Sequence, residues 1–280
     1  MPVHGEDIHA MIPDRRSLHS SPISTVRAIV RDGRALRLAT LALIVALPAG
    51  HTEFVRHHAT SSAQTAEVPY NGSFTFARIM YGGYGFRRGG DAWAHDYPRA
   101  DRHLPSILAF ITTARPNLDA SNVFTLEDRE IFRYPILYVS EPGFWSISDE
   151  GARNLREHLL KGGLLILDDF EGRQLDNALD QLHRALPEYE PIEIGPDHSI
   201  FDSFFRIDNI YIPHPLVAVT PVYYGLFEDN DPSHRMLAII NHNSDLAEYW
   251  EWSDAGYFPV DLTNEAYKIG VNYLIFAFTH

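Results

Sequence analysis

The stretch GGLLILDDFEG, Gly162 to Gly172, decides how the chain is read. Four aliphatic residues, Leu164 to Leu167, run without a break into Asp168 and Asp169. An uninterrupted apolar run of that length between glycines reads as a strand covered on both faces, the usual state of a parallel strand. Two acids at its far end then have two readings. They cap the next turn and accept structural hydrogen bonds, or they are presented to a ligand. Adjacent strand residues point to opposite faces, so one working Asp is expected rather than a facing pair.

The segments on either side support a layered α/β arrangement. Upstream, YPILYVS reads as a strand, and Ser148 is a candidate N-cap for a helix through DEGARNLREHLL, with Gly162 stopping it. Downstream, LDNALDQLHRAL places Leu175, Leu179, Leu182 and Leu186 on one helical stripe. FTFARIMY, NVFTL, PIEI, PVYYGLFED and MLAIINHN read as further strands, and LPSILAFITTA and NEAYKIGVNYLIFAF as helices. Strands alternating with helices predict a three-layer α/β sandwich, a mainly parallel sheet with helices on both faces. Residues 194–221 are His- and Pro-rich without a regular period and are expected to be extended loops. EYWEWSDAGYFP is expected to be a loop folded over the sheet edge.

The totals narrow the function. The 280 residues carry a formal charge of −14, which disfavours a nucleic-acid partner. There is no cysteine, so thiolate nucleophiles, disulfides and Cys-based metal sites are excluded. Residues 1–50 form a basic segment ending in the apolar run LATLALIVALPAG, Leu38 to Gly50. With Arg27, Arg31, Arg34 and Arg37 before it, the run resembles the core of an export signal and is short for a spanning helix. Export, to the periplasm or to a membrane-associated position, is therefore expected. Residues 51–72 read as a polar linker and 73–280 as the folded domain.

In open α/β sheets, ligands bind beyond the carboxyl ends of the strands. That rule collects Gly82 and Gly83 after the first strand, Glu141 after the third, Asp168 and Asp169 after the fourth, and Asn241, His242 and Asn243 after a late one. Trp93 and Asp96, in WAHDYP, and His198, in DHSIF, lie on loops that can join them. Asp168, Asp169 and His198 are the candidate catalytic groups, and the remainder are candidate ligand-binding groups. The aromatics are more simply explained by packing, and Asn241–Asn243 by an Asx turn. The 15 histidines show no metal-ligand spacing, so no metal and no cofactor are expected. No G-x-S-x-G is present, which leaves a serine-hydrolase elbow unsupported.

Six blocks, FTFARIMYGG, WAHDYPRADRHL, FRYPILYVSEPGFWSISDEGARNLREHLLKGGLLILDDFEG, DHSIFDSFF, INHNSDLAEYWEW and EAYKIGVNYLIFAFTH, together resemble the bacterial domain-of-unknown-function 4159 family from Phe74 to His280. The resemblance implies a flavodoxin-like fold of the class I glutamine-amidotransferase-like group. There, a catalytic Cys sits on the turn after a central strand. Here that position falls at Asp168 or Asp169, so the fold carries over and the glutaminase activity does not. The Gly pair before the strand and HSIF after it also resemble the trehalose-utilisation branch of that group. The resemblance further implies a cell-envelope setting, with MoxR-type ATPases and von Willebrand factor A-type proteins as partners. Two functions are expected on these grounds: a non-catalytic ligand- or protein-binding component of an envelope assembly, or a hydrolase of a carbohydrate or small polar substrate with an Asp/His site at the strand ends.

Overall fold

In a computed structural model of the chain, the structure describes residues 68–82 and 92–280. The expectations for the basic segment, for most of the linker and for Gly83 lie outside the described residues. Seven strands form one sheet: β1 (Ala77–Ile79), β2 (Asn122–Phe124), β3 (Ile136–Ser140), β4 (Leu164–Phe170), β5 (Ile192–Ile194), β6 (Val222–Phe227) and β7 (Met236–His242). Their order is β2-β1-β3-β4-β7-β6-β5. β2, β1, β3, β4 and β7 run parallel, and β6 and β5 complete the sheet as an antiparallel border.

The run that decided the reading is β4, and all seven of its residues are buried. It lies inside the sheet, parallel to β3 on one side and β7 on the other. Alternation does the layering. Ile136, Tyr138, Leu164 and Ile166 face one apolar cluster, while Leu137, Val139, Leu165 and Leu167 face the other. Helices α1 (Arg99–Ile111), α4 (Leu246–Glu251) and α5 (Val260–Thr279) cover the first face, and α2 (Asp149–Leu160) and α3 (Gln174–Ala185) cover the second. This is the expected α/β sandwich, consistent with a flavodoxin-like architecture. Among the described residues, no helix is long and apolar enough to cross a membrane.

Local chemistry explains the elements. Ser148 accepts a hydrogen bond from the Gly151 N–H (3.0 Å) and caps α2, and Gly162 follows that helix at φ 111°. On the other face, a Cβ at Gly270 would stand 2.7 Å from Trp250 Cζ2 and 2.9 Å from Leu104 Cδ1. Only glycine lets α1, α4 and α5 approach that closely.

One expectation needs correction, and the expected extended loops prove to carry core residues. EYWEWSDAGYFP is not wholly a loop. Its first residues belong to α4, and Tyr249 and Trp250 are buried in the core. The helix is too short for a periodic signal and depends on Asp168 of the sheet as well as on its own N-cap Asp245. The irregular stretch after β5 has only a 3-10 turn at Ser199–Asp202. Yet it buries Ile200, Phe201, Phe205, Ile207, Ile210 and Ile212, with the Asn272 side chain of α5 accepting from the Phe205 N–H (2.8 Å) and donating to its carbonyl (2.8 Å).

The strand order reverses at β1 and β3. The chain after β1 crosses to α1 on one face, and the chain after β3 crosses to α2 on the other, which opens a crevice between their ends. Arg78 of β1 lies beneath it, fully buried. Its Nε donates to both Asp101 oxygens (3.1 and 3.2 Å), and its Nη1 donates to the carbonyls of Trp93 (3.0 Å) and His95 (2.9 Å). One guanidinium thus ties α1 to the loop that enters the crevice.

Arg78→Met leaves Asp101 buried without a counter-charge, and removing one partner of such a pair costs about 3–5 kcal/mol. Urea unfolding is expected to show a loss of that size. A variant as stable as the wild type would show that this pair does not hold α1.

Candidate functional site

The crevice gathers acids by an unusual backbone. The β4–β7 register slips between Leu167 and Phe170, and Asp169 takes φ 65°. The strict alternation of β4 breaks there. Asp169 thereby reaches Ser140, on the same face of β3 as Tyr138, the partner of Asp168. Glu141 (φ 51°) and Asp96 (φ 62°) are left-handed as well. A non-glycine residue pays a steric penalty in that region, of order 1 kcal/mol, and such residues concentrate at functional sites. The Tyr81 hydroxyl lies 2.8 and 2.7 Å from the Ser140 and Glu141 carbonyls and pins the second of these turns.

The two adjacent acids do different work. Asp168 is wholly buried and fully bonded. It accepts from Asn241 Nδ2 (3.0 Å), the Tyr138 hydroxyl (3.1 Å), and the N–H groups of Leu246 (3.1 Å) and Ala247 (3.2 Å) at the start of α4. It is the structural acceptor and cap of the first reading. Asp169 is the acid that meets the crevice. Its Oδ2 lies 2.7 Å from His95 Nδ1 and accepts from the Ser140 hydroxyl (3.0 Å). The His95 side chain is 38% exposed and stands at the opening.

Around this pair lie groups whose charges are not matched. Ligand atoms of His95, Glu141 and Asp169 fall within 4.8 Å of one another, as do those of His95, Asp245 and Glu248, of Asp169, His214 and Asp245, and of Asp96, Glu248 and Glu251. Both Asp96 oxygens, Asp245 Oδ2, Glu141 Oε2 and His214 Nε2 are buried without a hydrogen-bond partner. Burial pushes Asp169, Asp96 and Asp245 well above the ordinary carboxylate range, and each acid's neighbours among the other acids add to the shift. Burial likewise brings Glu141 up to about 7, although His95 opposes the shift. A cluster like this holds protons or attracts a positive charge.

Of the residues anticipated from sequence, Asp96, Glu141, Asp168 and Asp169 come together here. Asn241 serves as a strut, donating to Asp168 and accepting from the Tyr273 hydroxyl (2.9 Å). His242 and Asn243 clasp the loop after β4 instead. His242 Nε2 lies 3.0 Å from the Gly172 carbonyl, and Asn243 Oδ1 accepts from the Gly172 N–H (2.8 Å). Gly82 and Trp93 line a neighbouring cleft of about 310 Å³ with Tyr81, Glu127 and Ser146. His198 lies at the opposite end of the sheet. Its ring packs 5.4 Å from Phe227, which pairs with Met236 at the start of β7. It stands away from Asp168 and Asp169: β5 runs in the same direction as β7, but the chain after it turns back over the sheet and packs the His198 ring against Phe227 and Phe276.

Sequence reasoning missed His95, Asp245, Glu248 and His214. One signal was present. Asp245-x-x-Glu248 before an apolar run is a helix-start pattern, and Asp245 Oδ1 does accept from the Glu248 N–H (2.9 Å). His95 sits beside Asp96 in the loop already singled out, with no local pattern to mark it.

A model of the family "Domain of unknown function (DUF4159)" matches residues 75–278, and the chain belongs to that family. No curated protein matches it.

The raised acids make a signed prediction. A carboxyl whose folded pKa lies above its unfolded value contributes stability at low pH and loses it as pH rises through the folded value. In EDTA-containing buffer, unfolding free energy is therefore expected to fall by roughly 1–3 kcal/mol as pH rises from about 4.5, where the unfolded carboxyl ionises, to about 7, where folded Glu141 does, and to level off above that. Glu141→Gln flattens that part of the profile. A wild-type profile that is flat or rising between pH 5 and 8 would show that the acids are neutralised some other way.

Proposed function

We propose that this member of the DUF4159 family is a hydrolase of a carbohydrate or similarly small polar substrate, working at the crevice around Asp169 and His95. The observation that carries the reading is the convergence of three left-handed carboxylate residues, Asp96, Glu141 and Asp169, on one half-exposed imidazole. A fold selected for stability alone discards such an arrangement, since it combines backbone strain with repulsion between buried acids.

The groups divide the work. Asp169 holds His95 through Nδ1, which leaves Nε2 turned from the carboxylate, and Nε2 makes no hydrogen bond among the described residues. A nitrogen so fixed presents a lone pair, which can take a proton from water or would hold a cation that makes a bound water more acidic. The acid lining suits hydroxyl-rich substrates, because carboxylates accept from sugar hydroxyls in pairs. The neighbouring cleft lined by Gly82 and Trp93 offers an apolar ring on which a sugar face packs.

The binding-module reading draws support from one observation. Asp168, Asn241 and Asn243 are used as caps and struts, as a purely structural strand end would use them. Asp169 and His95 are not so used, and the hydrolase reading is preferred for that reason. The arginines before the apolar run Leu38–Gly50 support an exported location, with MoxR-type and von Willebrand factor A-type proteins as candidate envelope partners.

The test is turnover by the full chain on a panel of chromogenic glycosides, esters and phosphoesters. His95→Ala and Asp169→Asn are expected to lower kcat by about 10²–10⁴-fold, the usual share of a positioned acid–base group. His198→Ala leaves turnover unchanged. Absence of turnover across the panel, or turnover indifferent to His95→Ala, overturns the hydrolase reading.

A further inference from the structure

The Asp169–His95 pair leaves much of the crevice unexplained. Asp245 and Glu248 enter it from the first turn of α4, and Asp96 from the loop after β1. Asp245 is 2% exposed and Asp96 3%. Asp245 uses Oδ1 to cap α4 and leaves Oδ2 buried with no donor, and neither Asp96 oxygen has one. These are carboxylate atoms gathered in a shared space without a hydrogen-bond donor, with His95 Nδ1 standing 3.6 Å from Asp96 Oδ1. An isolated pair of acids can share a proton, but a cap oxygen, three oxygens without a donor and an imidazole, meeting from the loop before α1 and the start of α4, form a ligand set.

We propose that this space binds one divalent cation, held by His95, Asp245 and Glu248, with Asp96 beside them. The inference rests on the crevice being the working site and names its cofactor. The three ligand atoms lie within 4.8 Å of one another, close enough for a single ion to draw them into its shell. Asp169 orients the imidazole. A carboxylate on His95 Nδ1 at 2.7 Å fixes the tautomer that leaves Nε2 free for metal, the usual arrangement behind metal-bound histidines. Two carboxylates with one imidazole and no thiolate favour a hard or borderline ion of the Mn²⁺ class. The ion also settles the electrostatics, since a double positive charge offsets the repulsion among Asp96, Asp169 and Asp245.

The full chain, stripped with EDTA and dialysed, is titrated with MnCl₂ by calorimetry, with MgCl₂ and ZnCl₂ as competitors. One ion per chain is expected, together with a rise in Tm. His95→Ala, Asp245→Asn and Glu248→Gln each weaken binding at least 10-fold. Asp169→Asn, a positioning change, weakens it 10–100-fold, and His198→Ala leaves it unchanged. Asp245→Asn carries a signature that misfolding cannot mimic. Asn is as good an N-cap as Asp, so the metal-free variant melts at or above the wild-type Tm while losing the rise with Mn²⁺.

No saturable binding, or binding indifferent to Asp245→Asn and His95→Ala, overturns the cation site. Turnover that survives EDTA with no ion bound does the same and leaves the hydrolase reading standing. Stoichiometric binding without turnover on any substrate supports the cation site and removes that reading.

Discussion

The carboxylate of Asp168 holds together the part of the fold that matters. It receives hydrogen bonds from β3 through Tyr138, from β7 through Asn241, and from the first turn of α4 through two backbone N–H groups. Asn241 is in turn bonded by Tyr273 of α5. Three adjacent strands and two helices are therefore fixed relative to one buried side chain. Burial raises the Asp168 pKa and its bonds to Asn241, Tyr138, Ala247 and Leu246 lower it, so desolvation is opposed from four directions. A helix of six residues has no stability of its own. α4 exists because an acid from the sheet meets its N-terminus and Trp250 and Tyr249 are buried beneath it.

That dependence has a chemical consequence. Asp245 and Glu248 ride on the first turn of α4, and their approach to the crevice is set by where Asp168 anchors that turn. On the other side, Arg78 fixes the carbonyls of Trp93 and His95, so the imidazole is placed from below by a buried cation bound to α1. The crevice is assembled from β1, β3, β4 and α4, and the tertiary contacts supply what no local segment specifies.

The distribution of legible and illegible features follows from this. β4 was legible because four consecutive aliphatics have one economical fate, and α2 because Ser148 and Gly162 act within their own turns. The parallel order followed from alternation of helices and strands. α4 was not legible, since its caps come from Asp168, 78 residues away, as well as from its own Asp245. Nor was the acid–imidazole cluster of the crevice, because His95, Glu141, Asp169 and Asp245 belong to four separate segments and no spacing rule joins them. His198 follows a strand that runs with β7, as the strand-end rule requires, but its loop turns back and packs the ring by Phe227 and Phe276. The path of a loop after its strand decides which residues can share a site, and no local pattern in residues 195–198 records that path.

The opening pair of acids shows how a local irregularity creates function. In a regular strand Asp168 and Asp169 would face opposite layers, and Asp169 would intrude on the apolar cluster that holds Leu165 and Leu167. A slip of register and a left-handed Asp169 return the second acid to the upper rim, beside Ser140 and His95. Phe170 then resumes the pattern and fills that cluster. Asp is among the residues that tolerate the left-handed region best, so the strain is modest. It converts one structural acceptor into two acids with separate tasks. The first fixes the helix that brings Asp245 and Glu248, and the second fixes the imidazole that faces them.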